Sequence, residues 1–244
     1  MMKNKSAILL FSGLMIKSAF AAHPLSTEDA TVLGKSNQQI EINTDRVSFR
    51  DQQDQVAALT STYGYSNDED LFANLPLNVS SPHGIGDISV GSKWQFLDYQ
   101  GQLLVFKTEL FLPTGDQQKG LGQGRRSVDL GLVDSYTRSA WTWHGNLVLT
   151  VNDYEHAADR QMNRKGVWRI SSAVVYQANA QWALTADTGF TQADSKSDAS
   201  KPVYVLGGVI YSPSNTLDLD AGLRRQRISG ATETRFGVGL TQRY

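Results

Sequence analysis

Two segments between residues 84 and 124 alternate strictly between apolar and polar side chains, and this alternation constrains the fold more than any other feature. In the first segment the large apolar residues share one parity: Ile88, Val90, Trp94 and Phe96. In the second segment the same holds for Leu104, Phe106, Leu110 and Leu112. Because successive side chains leave opposite faces of a strand, the pattern predicts two β-strands joined by a tight turn. Each strand is about ten residues long, which is enough for a tilted strand to cross the hydrocarbon layer of a bilayer.

The rest of the sequence repeats this pattern. Twelve candidate strands follow one another, at 38–49, 55–65, 71–80, 87–98, 103–113, 127–138, 141–152, 167–178, 181–191, 202–212, 216–227 and 234–244. No stretch shows a convincing helical period, so the sequence predicts an all-β protein. An even number of antiparallel strands places both ends of a barrel on the same side of the membrane.

The connections between the candidate strands alternate in length. Every second connection is short, such as Ser139-Ala140 and Asn179-Ala180, whereas most of the others are long and polar, such as residues 114–126 and 153–166. Short turns on one side and long loops on the other are typical of outer-membrane barrels, and a soluble sandwich has no reason to sort its loops in this way. The sequence therefore predicts a transmembrane antiparallel up-and-down β-barrel of twelve strands.

The first 22 residues have the pattern of a secretory signal peptide. Lys3 and Lys5 precede a short apolar run, and Ala19-Phe20-Ala21 is a small-x-small cleavage signal, with the cut after Ala21 or Ala22. Residues 23–37 show no periodicity and are interpreted as an irregular N-terminal segment, and residues 38–244 as the barrel. Together these features predict an exported protein in the outer membrane of a Gram-negative bacterium.

Composition narrows the class of partner. The chain has no cysteine and a formal net charge of −1. It therefore offers no thiolate metal site and no electrostatic reason to bind nucleic acid. We predict no metal and no cofactor. The predicted partners are outer-membrane lipid and lipopolysaccharide around the barrel and a small-molecule solute inside it.

Aromatic residues cluster near the ends of the predicted strands. One set lies beside the short turns: Tyr99, Trp141, Trp143, Trp182, Tyr211 and Tyr244. A second set lies nearer the long loops: Phe111, Trp168, Phe190 and Tyr204. Two such belts are typical of the aromatic girdles at membrane interfaces. The last strand ends on Tyr244, which resembles the terminal signal that barrel-assembly machinery recognises, although Gln242 stands where an apolar residue is usual.

Three stretches carry a family resemblance: a GxGD turn at Gly84–Asp87, a PTG motif at Pro113–Gly115, and the start HPLSTEDATVLGKSNQQIEI from His23. In these residues the chain resembles the phenol-degradation meta-pathway family of outer-membrane transporters, over nearly all of the mature length. The resemblance implies a transmembrane β-barrel linked to the uptake of aromatic or other hydrophobic compounds. It implies no catalytic residues.

If the apolar faces of the strands meet lipid, the opposite faces line the lumen. The candidate lumen-lining residues along a solute path are Lys93, Lys107, Glu109, Asp129, His144, Arg169, Asp187, Asp218, Asp220, Arg224 and Arg235. Their mixed signs argue against a strong anion or cation filter. Two interpretations stay open: a ladder of salt bridges that braces the barrel, and a selective path for a polar or amphipathic solute.

Hydrolase chemistry is the main enzymatic alternative. His144 lies on a predicted inward face, with Ser135 and Thr137 on the neighbouring strand, but no nucleophile motif surrounds them. We therefore predict that the protein is not an enzyme and that it allows passive, selective diffusion of a small molecule, aromatic or hydrophobic by the resemblance. The alternatives are a structural or adhesive surface barrel acting through its long loops, and a lipid-modifying outer-membrane hydrolase.

Overall fold

The computed structural model describes residues 23–154, 156–198, 201–228 and 230–244, so the predicted signal peptide lies outside the described residues. The strands are β1 (Gln38–Phe49), β2 (Gln52–Gly64), β3 (Glu69–Asn78), β4 (Gly84–Ile85), β5 (Ser89–Tyr99), β6 (Gln102–Phe111), β7 (Arg126–Arg138), β8 (Trp141–Asp153), β9 (Gly166–Gln177), β10 (Trp182–Thr191), β11 (Val203–Ser214), β12 (Leu217–Ile228) and β13 (Ala231–Arg243). All twelve predicted strands are present, and β4 is an additional strand of two residues.

The twelve long strands close into a barrel. Each pairs antiparallel with its neighbour in the chain, β3 pairs with both β2 and β5, and β1 pairs with both β2 and β13. The closure is completed where Gln38 and Tyr244 exchange two backbone hydrogen bonds of 3.2 and 2.9 Å. Because no long strand is left with an open edge, the barrel satisfies its backbone polar groups within the wall, as a lipid environment requires.

The predicted sorting of the connections is also present. At the end of the barrel that holds Gln38 and Tyr244, the strands are joined by short turns at 65–68, 100–101, 139–140, 178–181 and 215–216. At the opposite end lie the long connections 79–88, 112–125, 154–165 and 192–202. We call these two ends the turn end and the loop end.

Two short helices lie in the long loops, and no helical period in the sequence indicates them. One is a 3₁₀ turn at Gln117–Lys119, and the other is α1 (Ala157–Met162). Elements of six residues or fewer are too short to show a helical period in a sequence. Among the described residues, no helix is long and apolar enough to cross a membrane.

Exposure alternates along the strands and confirms the predicted parity. In β7 and β10 buried and exposed residues follow one another with a period of two. Leu147 lies at the middle of β8 with 51% of its surface exposed, and its cross-strand neighbours Leu132 and Ile170 are exposed as well. This apolar outer surface is the face that meets lipid in a transmembrane barrel.

The aromatic belts are confirmed at the turn end and corrected at the loop end. Trp141 packs against Tyr176 and Trp182 against Tyr211, each pair with ring centroids 4.6 Å apart. At the loop end, Tyr204 is only 8% exposed and turns inward, because the exposed neighbours Val203 and Val205 take the outward parity of β11. Phe111 also lines the interior, so these two residues are not part of an outer girdle.

Residues 23–37, which we call the plug segment, lie inside the barrel. Ala30 packs with the inward side chains of Val105 and Val133, and Leu25 packs against a second buried cluster that includes Ile210. Both Ala30 and Ile210 have no exposed surface. Both buried apolar clusters of the described residues therefore contact the plug segment.

Glycines in the wall make room for the plug segment. A Cβ atom on Gly222 would lie 2.5 Å from Cβ of Pro24, and one on Gly208 would lie 2.6 Å from Cγ of the same proline. By contrast, a Cβ atom on the neighbouring Gly207 would meet nothing within 4 Å. The inward glycines of β11 and β12 are thus a packing requirement for the start of the plug segment.

The assignment of inner and outer faces can be tested with one charge at two adjacent positions. Leu147→Lys should destabilise the folded barrel by about 2–4 kcal/mol, because the ammonium is placed in lipid near the middle of β8. Val148→Lys should cost much less, because Val148 faces the lumen. Urea unfolding in lipid vesicles, followed by the mobility of unboiled samples in gels, measures both. Equal losses for the two variants would show that the faces of β8 are wrongly assigned.

Candidate functional site

The plug segment begins at a histidine held between two wall carboxylates. His23 Nδ1 forms a short hydrogen bond with Asp220, and Nε2 lies 3.8 Å from Oδ1 of Asp45. Burial acts to lower the pKa of the His23 imidazole, but the hydrogen bonds and charges of Asp220 and Asp45 outweigh it and raise the pKa to about 9. The imidazolium is therefore charged at neutral pH, and this ionic tether weakens only as the pH rises through about 9.

The next residues are bound by Asp187, one of the predicted lumen residues. Its carboxylate accepts hydrogen bonds from the backbone N–H groups of Ser26 and Thr27 at 2.6 and 2.9 Å, and from the Thr27 hydroxyl at 2.7 Å. The Tyr204 hydroxyl donates a fourth hydrogen bond at 2.8 Å. A carboxylate thus supplies the acceptors that an irregular backbone inside the barrel needs.

Two lysines of the wall bind the acidic residues of the plug segment. Lys107 Nζ lies 2.5 Å from Oε1 of Glu28 and 3.3 Å from Oε2 of Glu109, so one lysine is shared by two carboxylates. Lys93 Nζ lies 3.5 Å from Oδ1 of Asp29. Lys93 and Lys107, two of the predicted lumen residues, therefore anchor the plug segment.

Ser135 and His144, the pair considered for hydrolase chemistry, do come together. Ser135 Oγ lies 2.7 Å from His144 Nδ1, and it also accepts a hydrogen bond of 2.8 Å from the backbone N–H of Ala30. Both side chains are 3% exposed, and among the described residues His144 Nε2 has no partner. The pair therefore lies beneath the plug segment and binds its backbone.

The remaining predicted residues also face the interior, at different depths. Arg169 forms an ion pair with Asp129 towards the loop end, and Asp218 pairs with Arg243 at 2.7 Å towards the turn end. Arg235 lies 3.7 Å from Asp45. Arg224 donates to Gln226 and forms no ion pair among the described residues. The predicted set is thus spread along the whole lumen.

Sequence reasoning missed the residues of the plug segment and several of their wall partners. Glu28 and Asp29 are part of the site, as is Asp70, whose two carboxylate oxygens accept from the Leu33 backbone N–H at 3.1 and 3.0 Å. The sequence offers one sign of this site: the adjacent acidic residues Glu28 and Asp29 precede strands that carry inward-facing lysines. No periodicity marks the segment itself.

Two larger cavities lie beside the plug segment in the lumen, and a smaller one of about 90 Å³ lies at its start near His23. The upper cavity, about 330 Å³, opens towards the loop end, where Phe111, Asp129 and Arg169 also line the entrance. The lower cavity, about 230 Å³, lies towards the turn end. Glu28, Lys107 and Glu109 line both cavities, so the boundary between them is this triad.

The two sequence motifs form a junction between loops at the entrance. Asp87 of the GxGD turn accepts from the backbone N–H of Gly115 at 3.0 Å and from that of Gln123 at 2.6 Å. Thr114 of the PTG motif accepts from the Ile88 N–H at 2.9 Å and donates to the Gly86 carbonyl at 2.9 Å. The motif residues therefore fix loops 79–88 and 112–125 to each other beside the mouth.

A closed twelve-stranded barrel with an apolar outer face, a charged lumen and an internal plug segment defines a transmembrane barrel of the outer-membrane class. The chain belongs to the family described as "Putative MetA-pathway of phenol degradation", whose model matches residues 23–244. This confirms the resemblance drawn from the sequence motifs. No curated protein is similar enough to the chain to count as a match.

Solved structures share the fold at low sequence identity. An outer membrane channel from Pseudomonas putida F1 matches with a TM-score of 0.72 at 14% identity, over 88% of this chain and 98% of that chain. The NanC porin matches with a TM-score of 0.63 at 11% identity, over 83% and 98%. The KdgM porin in complex with disordered oligogalacturonate matches with a TM-score of 0.63 at 8% identity, over 84% and 98%.

The packing of the plug segment against the barrel wall can be tested by adding one methyl group to the wall. Gly222→Ala should displace Pro24, because the new Cβ would overlap its ring, and the N–H groups of residues 26–33 should then exchange faster with solvent. Gly207→Ala is the matched control and should leave exchange unchanged, since its Cβ meets open space. Hydrogen exchange followed by mass spectrometry of peptides from residues 23–37 measures the effect. Unchanged hydrogen exchange in Gly222→Ala would contradict the packing of Pro24 against Gly222.

Proposed function

We propose that this protein is an outer-membrane channel for the passive, selective diffusion of a small molecule past the plug segment. The observation that carries the proposal is the divided lumen, in which two cavities meet at the triad Glu28, Lys107 and Glu109. Eight-stranded barrels are filled by their own side chains and barrels of sixteen strands hold aqueous channels. A barrel of twelve strands with a plug lies between these cases and can restrict passage without abolishing it.

The upper cavity suits a small solute with an apolar body. Its volume of about 330 Å³ is at the lower end of the range for small-molecule sites. The inward side chains of Phe111, Val133 and Val148 line it together with charged groups, which fits an aromatic or other amphipathic compound. The family description, which refers to phenol degradation, and the similar structures, which are a channel and porins, support the same class of function.

We expect the protein to be exported and inserted into the outer membrane in the way that is usual for outer-membrane barrels. We infer that residues 1–22 direct export, and that outer-membrane lipid and lipopolysaccharide surround the apolar face. The exposed residues Phe236, Val238 and Leu240 of β13, followed by Tyr244, support recognition by barrel-assembly machinery. Recovery of the folded protein in the outer-membrane fraction tests this location, and recovery in the soluble periplasm would contradict it.

Hydrolysis is the second function to consider, because Ser135 and His144 are hydrogen-bonded. We infer that the pair is not catalytic, since the Ala30 N–H occupies the Ser135 hydroxyl and both side chains are buried. An esterase assay of the folded protein in detergent should show no activity that Ser135→Ala removes. Such a loss would identify a hydrolase.

Conductance in planar bilayers tests the channel function at the triad. Lys107→Ala should raise the conductance severalfold, because it shortens a side chain at the boundary and releases Glu28 from the wall. Lys119→Ala is the matched control, because Lys119 is exposed in a loop outside the lumen, and it should conduct like the wild type. A barrel that stays closed to ions in the wild type and in Lys107→Ala would favour a structural or adhesive role.

A further inference from the structure

Arg224 differs from the other cations around the plug segment. Its guanidinium donates to Gln226 Oε1 and lies over the Tyr204 ring, with Cζ 4.9 Å from the ring centroid. Its Nε is buried and has no partner among the described residues. By contrast, Lys93, Lys107 and Arg169 each form an ion pair with a carboxylate. Arg224 is thus a lumen cation whose charge is not met by a contacting carboxylate within the described part of the chain.

The charges around Arg224 do not remove this surplus. Arg235 is its cross-strand neighbour on β13, and like charges in such positions repel. Glu233 lies 3.9 Å from Arg235 and forms no ion pair with Arg224. Asp187 is also near, but its oxygens already accept four hydrogen bonds from neutral donors. The site therefore retains a positive charge and an unused N–H group.

This cation lines the upper cavity. Arg224, Gln226 and Tyr204 form part of its wall, and the inward side chains of Phe111, Val133 and Val148 supply apolar surface to the same space. A partly buried cation without a paired carboxylate is costly, so a ligand that brings a negative charge to it would be bound with a gain in free energy. A planar guanidinium matches the geometry of a carboxylate in particular.

We propose that Arg224 is the anion-binding residue of the upper cavity, and that the solute class is a small organic anion with an apolar body, such as an aromatic carboxylate. This proposal rests on the proposed channel function and names its solute class. The carboxylate would bind the guanidinium, and the ring would pack against the apolar residues of the cavity wall. Only ionic contacts and packing are involved, so no covalent step is required.

The entrance does not oppose such an anion. Four carboxylates line it, and each has a partner: Asp129 pairs with Arg169, Asp194 pairs with Arg125, Asp87 accepts from two backbone N–H groups, and Asp198 also interacts with another group of the protein. Below the cavity, Lys107 is shared by Glu28 and Glu109, so that boundary keeps a net negative charge. An anion would therefore bind beside Arg224 before it passes the triad.

Binding of benzoate to the full-length barrel in detergent, measured by calorimetry, tests the proposal, with benzyl alcohol as the neutral probe of similar shape. Arg224→Gln should weaken benzoate binding about tenfold or more and leave benzyl alcohol binding unchanged, because only the charge-assisted contact is lost. Arg138→Gln removes an exposed arginine outside the cavity and should leave both affinities unchanged. Arg224→Lys keeps the charge and should retain part of the benzoate affinity, and it serves as the test if Arg224→Gln fails to fold.

The proposal is overturned if the wild type does not bind benzoate, if benzyl alcohol loses as much affinity as benzoate, or if Arg138→Gln has the same effect as Arg224→Gln. Conductance recorded on the same samples separates this result from the channel function. A conducting barrel without benzoate binding contradicts the anion site alone. A barrel that binds benzoate through Arg224 and never conducts contradicts the channel alone.

Discussion

The structure depends on one constraint, which is that backbone N–H and C=O groups in lipid must find partners within the protein. The twelve long strands meet it by closing the sheet between β1 and β13. Closure decides which side chains of each strand face outward, because the outer face must be apolar. The polar and charged side chains then face the lumen. The alternation in the sequence and the charged lumen are two consequences of the same requirement.

The plug segment meets the same constraint by different means. Its irregular backbone cannot use a sheet ladder, so side chains of the wall supply acceptors: Asp187 for Ser26 and Thr27, Ser135 for Ala30, and Asp70 for Leu33. Its acidic residues form ion pairs with wall lysines. Part of the lumen charges therefore brace the plug segment, and we propose that Arg224, which has no ion pair among the described residues, binds a solute. On this proposal, the two interpretations of the lumen charges apply to different residues of one set.

The strands and the inward placement of the lumen charges were predictable, because a period of two is a local property that each segment shows by itself. Lys107 and Glu109 face inward for the same reason that Leu147 faces outward. The plug segment was not predictable in this way, since residues 23–37 have no period and their position depends on partners such as Asp187, which is far away in the chain. The position of Tyr204 near a long loop predicts a girdle residue, but its parity on β11 turns the side chain inward. The role of Gly222 was also hidden, because a glycine in a strand shows its purpose only when Pro24 lies against it.

The central claim is that the plug segment lies inside the lumen against a defined part of the wall, and a cross-link tests it most directly. The chain has no cysteine, so an engineered pair has no background. Ala30→Cys combined with Val133→Cys should form a disulfide in the folded barrel, because the two side chains pack together. Ala30→Cys combined with Leu132→Cys should not, because Leu132 faces the outside. Cross-linking that is equal in the two pairs, or absent from the first, would contradict the account.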